Sequence, residues 1–356
     1  HGNMMSIETA EKCVDLALQS PNNYLSFEFQ GGEPLLNFKT IEHIVKYTKM
    51  HQGLKKISFN LVSNLTILDE YKINFIKQHH ISVSTSLDGD STLHNINRPC
   101  LQGNSYEIWA KNYKILQSQL DCNIGAIQTT TKYSLNKYKE IVDEYIHNGL
   151  ETVFLRPLTP LGYAATRWDE LGYTAEDFVS FYDKSLKYII ERAKNGANIR
   201  EGHASLFLCK ILDHVAGNYT ELRSPCGAAL GQLAYNYDGA IYTCDEGRMM
   251  AEMGDHSFRV GTVHSNYKDL VTGSICKSMA VASCLESIPQ CSDCVYSPYC
   301  GVCPVLNYAS HGNIFADMPN HFKCKIYSGM LDSIFDLLLK NDAATQFILK
   351  SWTGNR

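Results

Sequence analysis

The stretch YLSFEFQGGEP, Tyr24 to Pro34, decides how the chain is read. Its first six residues read as a strand, and Gly31-Gly32-Glu33-Pro34 then turns the chain toward the next helical pattern. Working outward, ETAEKCVDLAL (Glu8 to Leu18) has helical periodicity before that strand. IEHIVKYTKM precedes the strand ISFNLVS (Ile57 to Ser63), and YKINFIKQ precedes ISVSTSL (Ile81 to Leu87). A helix from about Tyr106 to Gln117 leads to IGAIQTT, and LNKYKEIVDEYIHNG leads to TVFLR. In that last helix Ser134 is the expected N-cap and Gly149 the expected C-terminal stop. Five strands separated by helices predict parallel pairing with right-handed crossovers, hence a barrel-like or doubly wound α/β domain. In both, ligands bind at the carboxyl edge of the strands. There the sequence places Gln30 to Pro34, Asn64, Asp88-Gly89, Thr129-Thr130-Thr131 and Arg156-Pro157. Any one of these loops reads equally well as a simple turn; five together favour a ligand site.

The chain has 356 residues with 44% hydrophobic and 19% charged side chains, enough to bury a core. Its 32 basic against 37 acidic residues, net -5, and the lack of a basic run argue against a nucleic-acid partner. No stretch approaches the roughly 20 apolar residues of a membrane span, and the opening HGNMMSIETAEK lacks a signal-peptide apolar region. The expected location is the cytoplasm.

Beyond the strands, TAED caps a helical region from about Thr174 to Asn218, and its aromatics at helical spacing read as core. QLAYNYDGAIYTCDEG predicts a hairpin turning at Asp238-Gly239. The segment after it is short-looped and rich in cysteine. KIYSGMLDSIFDLLLK predicts a closing helix followed by a polar tail.

Of 13 cysteines, nine fall between Cys226 and Cys324 inclusive. Cys291 and Cys294 are two residues apart, five residues separate Cys294 from Cys300, and Cys303 follows Cys300 after two more. Cys324 comes twenty residues later, and upstream Cys226 is followed by Gly239 and Cys244. Thiolates two residues apart present both sulfurs to one metal centre. Seven such thiolates exceed the needs of one zinc or one four-iron cluster, so two centres are expected. A zinc ribbon separates its paired knuckles by a dozen residues or more, which makes structural zinc the weaker alternative. Cys13, Cys100, Cys122 and Cys209 sit singly and read as small buried hydrophobes, while Cys276 and Cys284 lie close enough to supply a missing ligand.

Together these residues resemble the radical S-adenosylmethionine (AdoMet) enzymes with a C-terminal SPASM domain, the peptide and protein maturases with auxiliary four-iron clusters. Gly31-Gly32-Glu33-Pro34 resembles the superfamily's GGEP motif. Ser86 with Asp88-Gly89 resembles a strand-end loop of the anaerobic sulfatase-maturase branch, and Asn64 falls where a ribose contact is expected. The phrases SLDGDSTLHNINRP, VFLRPLTPLGYAA, YNYDGAIYTCDEGRMMAEMGD and YCGVCPVLNYASHG look very like the B-type maturase of His-Xaa-Ser peptide systems. The resemblance implies a partial (β/α)6 barrel over residues 1–165, a helical bridge over 166–220, a SPASM domain over 221–330 and a C-terminal helix and tail over 331–356.

It also implies roles. Gly31, Gly32, Glu33 and Pro34 would hold the amino group of AdoMet, Asn64 the ribose, and Ser86 with Arg98 the carboxylate; an arginine before Pro99 is also a residue that pairs at a surface. Cys226, Cys244 and Cys303 would hold a first auxiliary [4Fe-4S] cluster, and Cys291, Cys294, Cys300 and Cys324 a second. Family members have three residues between the third and fourth cysteines of the central run, whereas Cys300 and Cys303 have two. The first cluster's fourth ligand is therefore open: Cys284, Cys276 or substrate.

The family's CxxxCxxC loop, which holds the AdoMet-cleaving cluster, does not occur in these residues. It is expected just ahead of the first helix, in an upstream segment. With it, one electron passed to AdoMet would yield a 5'-deoxyadenosyl radical that abstracts hydrogen from a ribosomally made precursor peptide. A paired second maturase or a recognition protein is the implied partner. The competing classes are a catalytically silent iron-sulfur partner of a sister enzyme and a zinc-stabilised α/β enzyme.

Overall fold

In a computed structural model, described for residues 3–101, 103–120, 124–215, 217, 219–340 and 342–354, six parallel strands lie side by side in chain order. They are β1 (Tyr24–Phe29), β2 (Lys56–Val62), β3 (Ser82–Ser86), β4 (Gly125–Thr130), β5 (Thr152–Pro157) and β6 (Arg200–Glu201). Helix α1 (Ile7–Leu18) precedes the sheet. The crossovers are α2 (Phe38–His51), α3 (Glu70–Gln78), α4 (Ser91–Asn97) with α5 (Ser105–Gln119), α6 (Tyr138–His147), and then α7 (Tyr163–Thr166), α8 (Trp168–Leu171) and α9 (Ala175–Lys194). α/β architecture with an open parallel sheet is what the alternation of elements predicts.

The two faces of the sheet differ. Phe29, Phe59, Leu61, Val83, Ala126, Val153 and Leu155 are buried against the helices, among them Trp109 and Tyr113 of α5 and Ile141, Val142 and Tyr145 of α6. Each of the Phe, Leu and Val side chains contributes about 1.5–3 kcal/mol when fully buried. The opposite face carries Ser26, Glu28, Asn60, Ser84, Ser86, Thr129 and Arg156, all half-buried or exposed. Parallel sheets are normally covered by apolar packing on both faces, so this polar side is the lining of an open concavity.

Three local expectations change. Ser134 is not the N-cap of α6. It closes a single 3-10 turn, Lys132–Ser134, where its Oγ accepts from Thr131 N at 3.1 Å, and α6 starts only at Tyr138. The region expected to run as helix to Asn218 is interrupted by β6, two residues paired to Thr152 and Val153, before α10 (Gly202–Leu212). The segment expected as a polar tail contains a helix, Ala343–Ser351, whose Leu349 is buried together with the following Trp352. By contrast Gly149 takes φ +70 after α6, as a left-handed stop should, and Thr174 forms a capping box with Asp177 on α9.

The cysteine-rich segment is built on a small antiparallel sheet, β7 (Ala234–Tyr235), β8 (Ala240–Tyr242) and β9 (Arg259–Thr262), with its first turn at Gly239, φ +83. Around it lie α11 (Asp245–Glu252), α12 (Tyr267–Thr272), α13 (Ser274–Ser283), α14 (Pro289–Ser292) and α15 (Pro304–His311). The chain then returns to the first layer through α16 (Phe322–Leu339), which packs along α9, and α17 (Ala343–Ser351). Ile326, Tyr327, Met330, Leu331 and Ile334 join the core of the large sheet. Among the described residues no helix is long and apolar enough to cross a membrane.

Glu201, fully buried, fastens β6 to its surroundings. It accepts from Leu155 N at 3.2 Å, Tyr182 Oη at 2.8 Å and Ala204 N at 2.5 Å. Burial pushes its carboxyl from 4.5 up to about 7, against the pull of those donors. The native chain therefore holds a proton over an interval in which the unfolded chain has lost it. This stabilisation is complete below pH 4.5 and is lost as pH rises to about 7, by about 3 kcal/mol in all. Glu201→Gln should flatten that decline, read as denaturation midpoints measured from pH 4 to 8; an unchanged slope would refute the assignment.

Candidate cofactor site and thiol centres

The loop after β1 has an open backbone. A Cβ at Gly31 or at Gly32 would meet no atom within 4 Å, and both residues are exposed. Gly31 has φ +147, a conformation that favours glycine. Glu33 then caps the 3-10 turn Pro34–Asn37. Its Oε1 accepts from Leu35 N at 3.0 Å and Ser63 Oγ at 2.8 Å, and its Oε2 from Asn64 N at 2.9 Å. Three of a carboxylate's roughly four acceptor positions are thus taken within the chain. Glu33 positions the β1 and β2 loops, and the open contact surface falls to the two glycines. Pro34 starts the turn at its first position, where no N–H is needed.

Asn64 is exposed beside this loop, its Oδ1 accepting from Thr66 N at 2.9 Å and Thr66 Oγ1 at 2.7 Å. Ser86 lies half-buried on the concave face at the end of β3. Arg98 is no loose surface group. Its Nε donates to Asp88 Oδ2 at 2.7 Å and its Nη2 to Asp88 Oδ1 at 3.2 Å, with Thr129 N on the same Oδ1 at 3.0 Å. Asp88 is 1% exposed, so the pair clamps the β3 loop to β4 and the end of α4. Sequence reasoning missed Ser26, Glu28, Asn60 and Ser84 on the concave face. The signal was present as polar residues at every second position of β1, β2 and β3.

The seven cysteines resolve into two groups. Cys226, Cys244 and Cys303 line one cavity with Arg156 and Pro157 from the end of β5. Cys244 and Cys303 cap the N-termini of α11 and α15, where peptide dipoles favour negative charge. Cys226 N donates to Ser283 Oγ at 3.0 Å. The second group is Cys291, Cys300 and Cys324, packed on Leu285, Ile288, Val302 and Met318, with Cys294 beside Cys291 and Cys324. Burial pushes the Cys303 and Cys300 thiols up to about 12 and Cys291 to about 11, with neighbouring thiols in the same group adding to the rise. Cations that displace those protons would relieve the charge cost of each group.

One group of three thiols and one of four supply the donor chemistry that iron-sulfur clusters take. Among the described residues no three His, Cys, Asp or Glu side chains converge at single-ion distance. Four thiolates on one zinc lie only about 3.8 Å apart, whereas a cubane cluster spreads its thiolates over separate irons. Of the two spare thiols, Cys276 donates to Leu270 O at 2.8 Å and Cys284 to Glu286 Oε2 at 3.1 Å; neither lines the first cavity. Cys284, expected as a metal ligand, is thus turned toward a carboxylate instead. Cys122 lies outside the described residues.

A half-buried ion network, absent from sequence reasoning, joins the two regions. Glu221 accepts from Arg156 Nη2 at 2.5 Å, Lys323 Nζ at 3.3 Å and Tyr327 Oη at 3.2 Å. Its next neighbour in this network, Lys323, directly precedes Cys324 of the second thiol group. A Cβ at Gly301 would run into the Glu221 carbonyl oxygen, which explains glycine between Cys300 and Cys303.

No protein-family model matches the chain. The cysteine-type anaerobic sulfatase-maturating enzyme of Clostridium perfringens is 25% identical over 249 residues, 68% of this chain and 65% of that protein. The radical SAM cyclopropyl synthase TigE of Paramaledivibacter caminithermalis is 24% identical over 246 residues, 67% of this chain and 48% of its own. The chain thus spans just under two thirds of the first relative and about half of the second. Among solved structures, native anSMEcpe with bound AdoMet superposes with a TM-score of 0.80 at 18% identity, over 98% of this chain and 91% of that one. The same protein is also solved with AdoMet and the Kp18Cys peptide. The chain therefore shares the fold of anSMEcpe, and its sequence is similar to that of an anaerobic sulfatase-maturating enzyme and of a radical SAM cyclopropyl synthase.

Asp88→Ala should strand the Thr129 N–H and the Arg98 guanidinium, costing about 1–3 kcal/mol in urea denaturation. Asp88→Asn, which keeps an acceptor, should lose less; equal losses would show that the clamp depends on charge alone.

Proposed function

We propose that this chain is the core of a radical AdoMet maturase that modifies side chains of a ribosomally made precursor peptide. One observation carries the reading: the open glycine loop and the polar concave face share the carboxyl end of the sheet with a thiol-lined cavity. Homology to sulfatase-maturating and cyclopropyl-forming enzymes supports the class, and the peptide bound to anSMEcpe supports a peptide as substrate. A second maturase acting on the same precursor completes the pair that the sequence resemblance implies.

In this reading the backbones of Gly31 and Gly32 hold the amino group of AdoMet, because at this strand end a ligand can reach the main chain unhindered. Glu33 braces that loop, and Asn64 turns its side-chain amide to the ribose. Ser86 meets the carboxylate, while Arg98 fixes the loop beneath it through Asp88. The two thiol groups hold two auxiliary [4Fe-4S] clusters, and a third sits on a CxxxCxxC segment upstream of these residues. When bound, AdoMet and that third cluster supply a 5'-deoxyadenosyl radical, the hard chemistry that belongs to the cofactor. The chain's own work is to orient AdoMet, keep the concave face closed to water once peptide is seated, and align the peptide's reacting carbon.

Full-length protein loaded anaerobically with iron and sulfide should form 5'-deoxyadenosine from AdoMet under reduction, and more of it with precursor peptide. Cluster-loaded protein that binds AdoMet but never cleaves it would instead mark a silent partner. Gly32→Val should leave the folding midpoint within about 0.5 kcal/mol, since the space is open. It should weaken AdoMet binding at least about tenfold in equilibrium dialysis, roughly 1.4 kcal/mol. Cys291→Ala should lose about four irons per chain, one cluster's worth; unchanged iron content would remove Cys291 from the ligand set.

A further inference from the structure

The first thiol group is one ligand short. Cys226, Cys244 and Cys303 supply three sulfurs to the cavity, and a cubane cluster takes four ligands. Cys276 and Cys284 point elsewhere. The remaining candidates are the other groups that face the same cavity.

Most of these are unsuited. Arg156 and Lys323 have no acceptor to offer a metal. Glu221 is committed to both of them and to Tyr327. His203 packs its ring against Phe154 and Tyr219, and its Nδ1, which has no hydrogen-bond partner, lies 4.0 Å from Glu201 Oε1 on the sheet side. Thr220 and Gln232 are neutral and weak donors to iron.

Glu246 is different. It lies two residues after Cys244, in the first turn of α11, so that the capping cysteine and this carboxylate leave the same helix end together. Asp245, between them, is held by Arg248 at 2.8 Å and 3.0 Å. Among the described residues no cation closes to within 4 Å of the Glu246 carboxylate; the nearest candidate, Arg156, is paired with Glu221. A carboxylate with no ion-pair partner within 4 Å thus lines one cavity with three thiols.

We propose that Glu246 is the fourth ligand of the first auxiliary cluster, which is therefore held by three cysteines and one glutamate. A carboxylate is a harder donor than thiolate and binds iron less tightly, so the iron it holds becomes the one most readily lost or exchanged. Arg156 and Lys323 sit close enough to balance the added negative charge.

This inference rests on the proposed function, and the test separates the two. Full-length wild-type protein, Glu246→Gln, Glu246→Cys, Cys226→Ala, Cys276→Ala and Cys284→Ala are loaded anaerobically with iron and sulfide. Iron is counted, and Mössbauer and EPR spectra are recorded. In Glu246→Gln we expect about one of the first cluster's four irons to leave as Fe(II), giving a three-iron cluster in the Mössbauer spectrum and, after one-electron oxidation with ferricyanide, a three-iron EPR signal, with the second cluster intact. Glu246→Cys should restore the iron, which separates a lost ligand from a damaged fold. Wild-type iron and spectra in Glu246→Gln, or the same loss in Cys276→Ala or Cys284→Ala, would overturn the glutamate assignment alone. Equal iron in wild type and Cys226→Ala would overturn the first cluster itself, and the functional reading with it.

Discussion

The structure turns on one half-buried carboxylate. Glu221 joins Arg156 at the end of the parallel sheet to Lys323 at the start of the returning helix, and its own segment runs between Cys226 and Gly301. Burial alone would push this carboxyl up, but the charges of Arg156 and Lys323 together outweigh it and hold it below the usual carboxylate range. A half-buried ion pair of this kind adds little net stability. Its value is registration: it fixes the thiol-bearing layer against the mouth of the sheet.

From that contact the rest follows in order. The sheet needs apolar cover only on its helical side, where α5, α6 and α9 supply it. Its other side stays polar and open, and its strand ends are trimmed by Glu33 on one loop and by the Asp88–Arg98 clamp on the next. Both carboxylates hold backbone N–H groups of a neighbouring strand or loop, so the rim of the concavity is stiff before any ligand arrives.

Much of this was legible in the sequence because it is local. Alternating strand and helix patterns, the Asp238-Gly239 turn, the TAED cap and the spacing of Cys291, Cys294 and Cys300 are each written within a few residues. What escaped is long-range or too short to have a period. β6 has two residues, and its pairing to β5 shows only in three dimensions. The helix Ala343–Ser351 looks polar in sequence because its buried side is narrow. Arg156, Glu221 and Lys323 are 65 and 102 residues apart, and nothing in their neighbourhoods announces a meeting. Glu33 read as a ligand contact because its motif is familiar; two of the three donors it accepts from, Ser63 and Asn64, belong to the next loop of the rim.

Lys323 and Cys324 are consecutive on α16, and successive helical residues point about 100° apart. One therefore reaches into the first thiol cavity while the other joins the second thiol group. A single peptide unit is the common wall of the two chambers. Because α16 is also pinned along α9 in the main core, any slide or roll of that helix would displace both chambers together. The two centres are mechanically one body, and the lever that would move them is the helix returning to the sheet rather than any loop around the sulfurs.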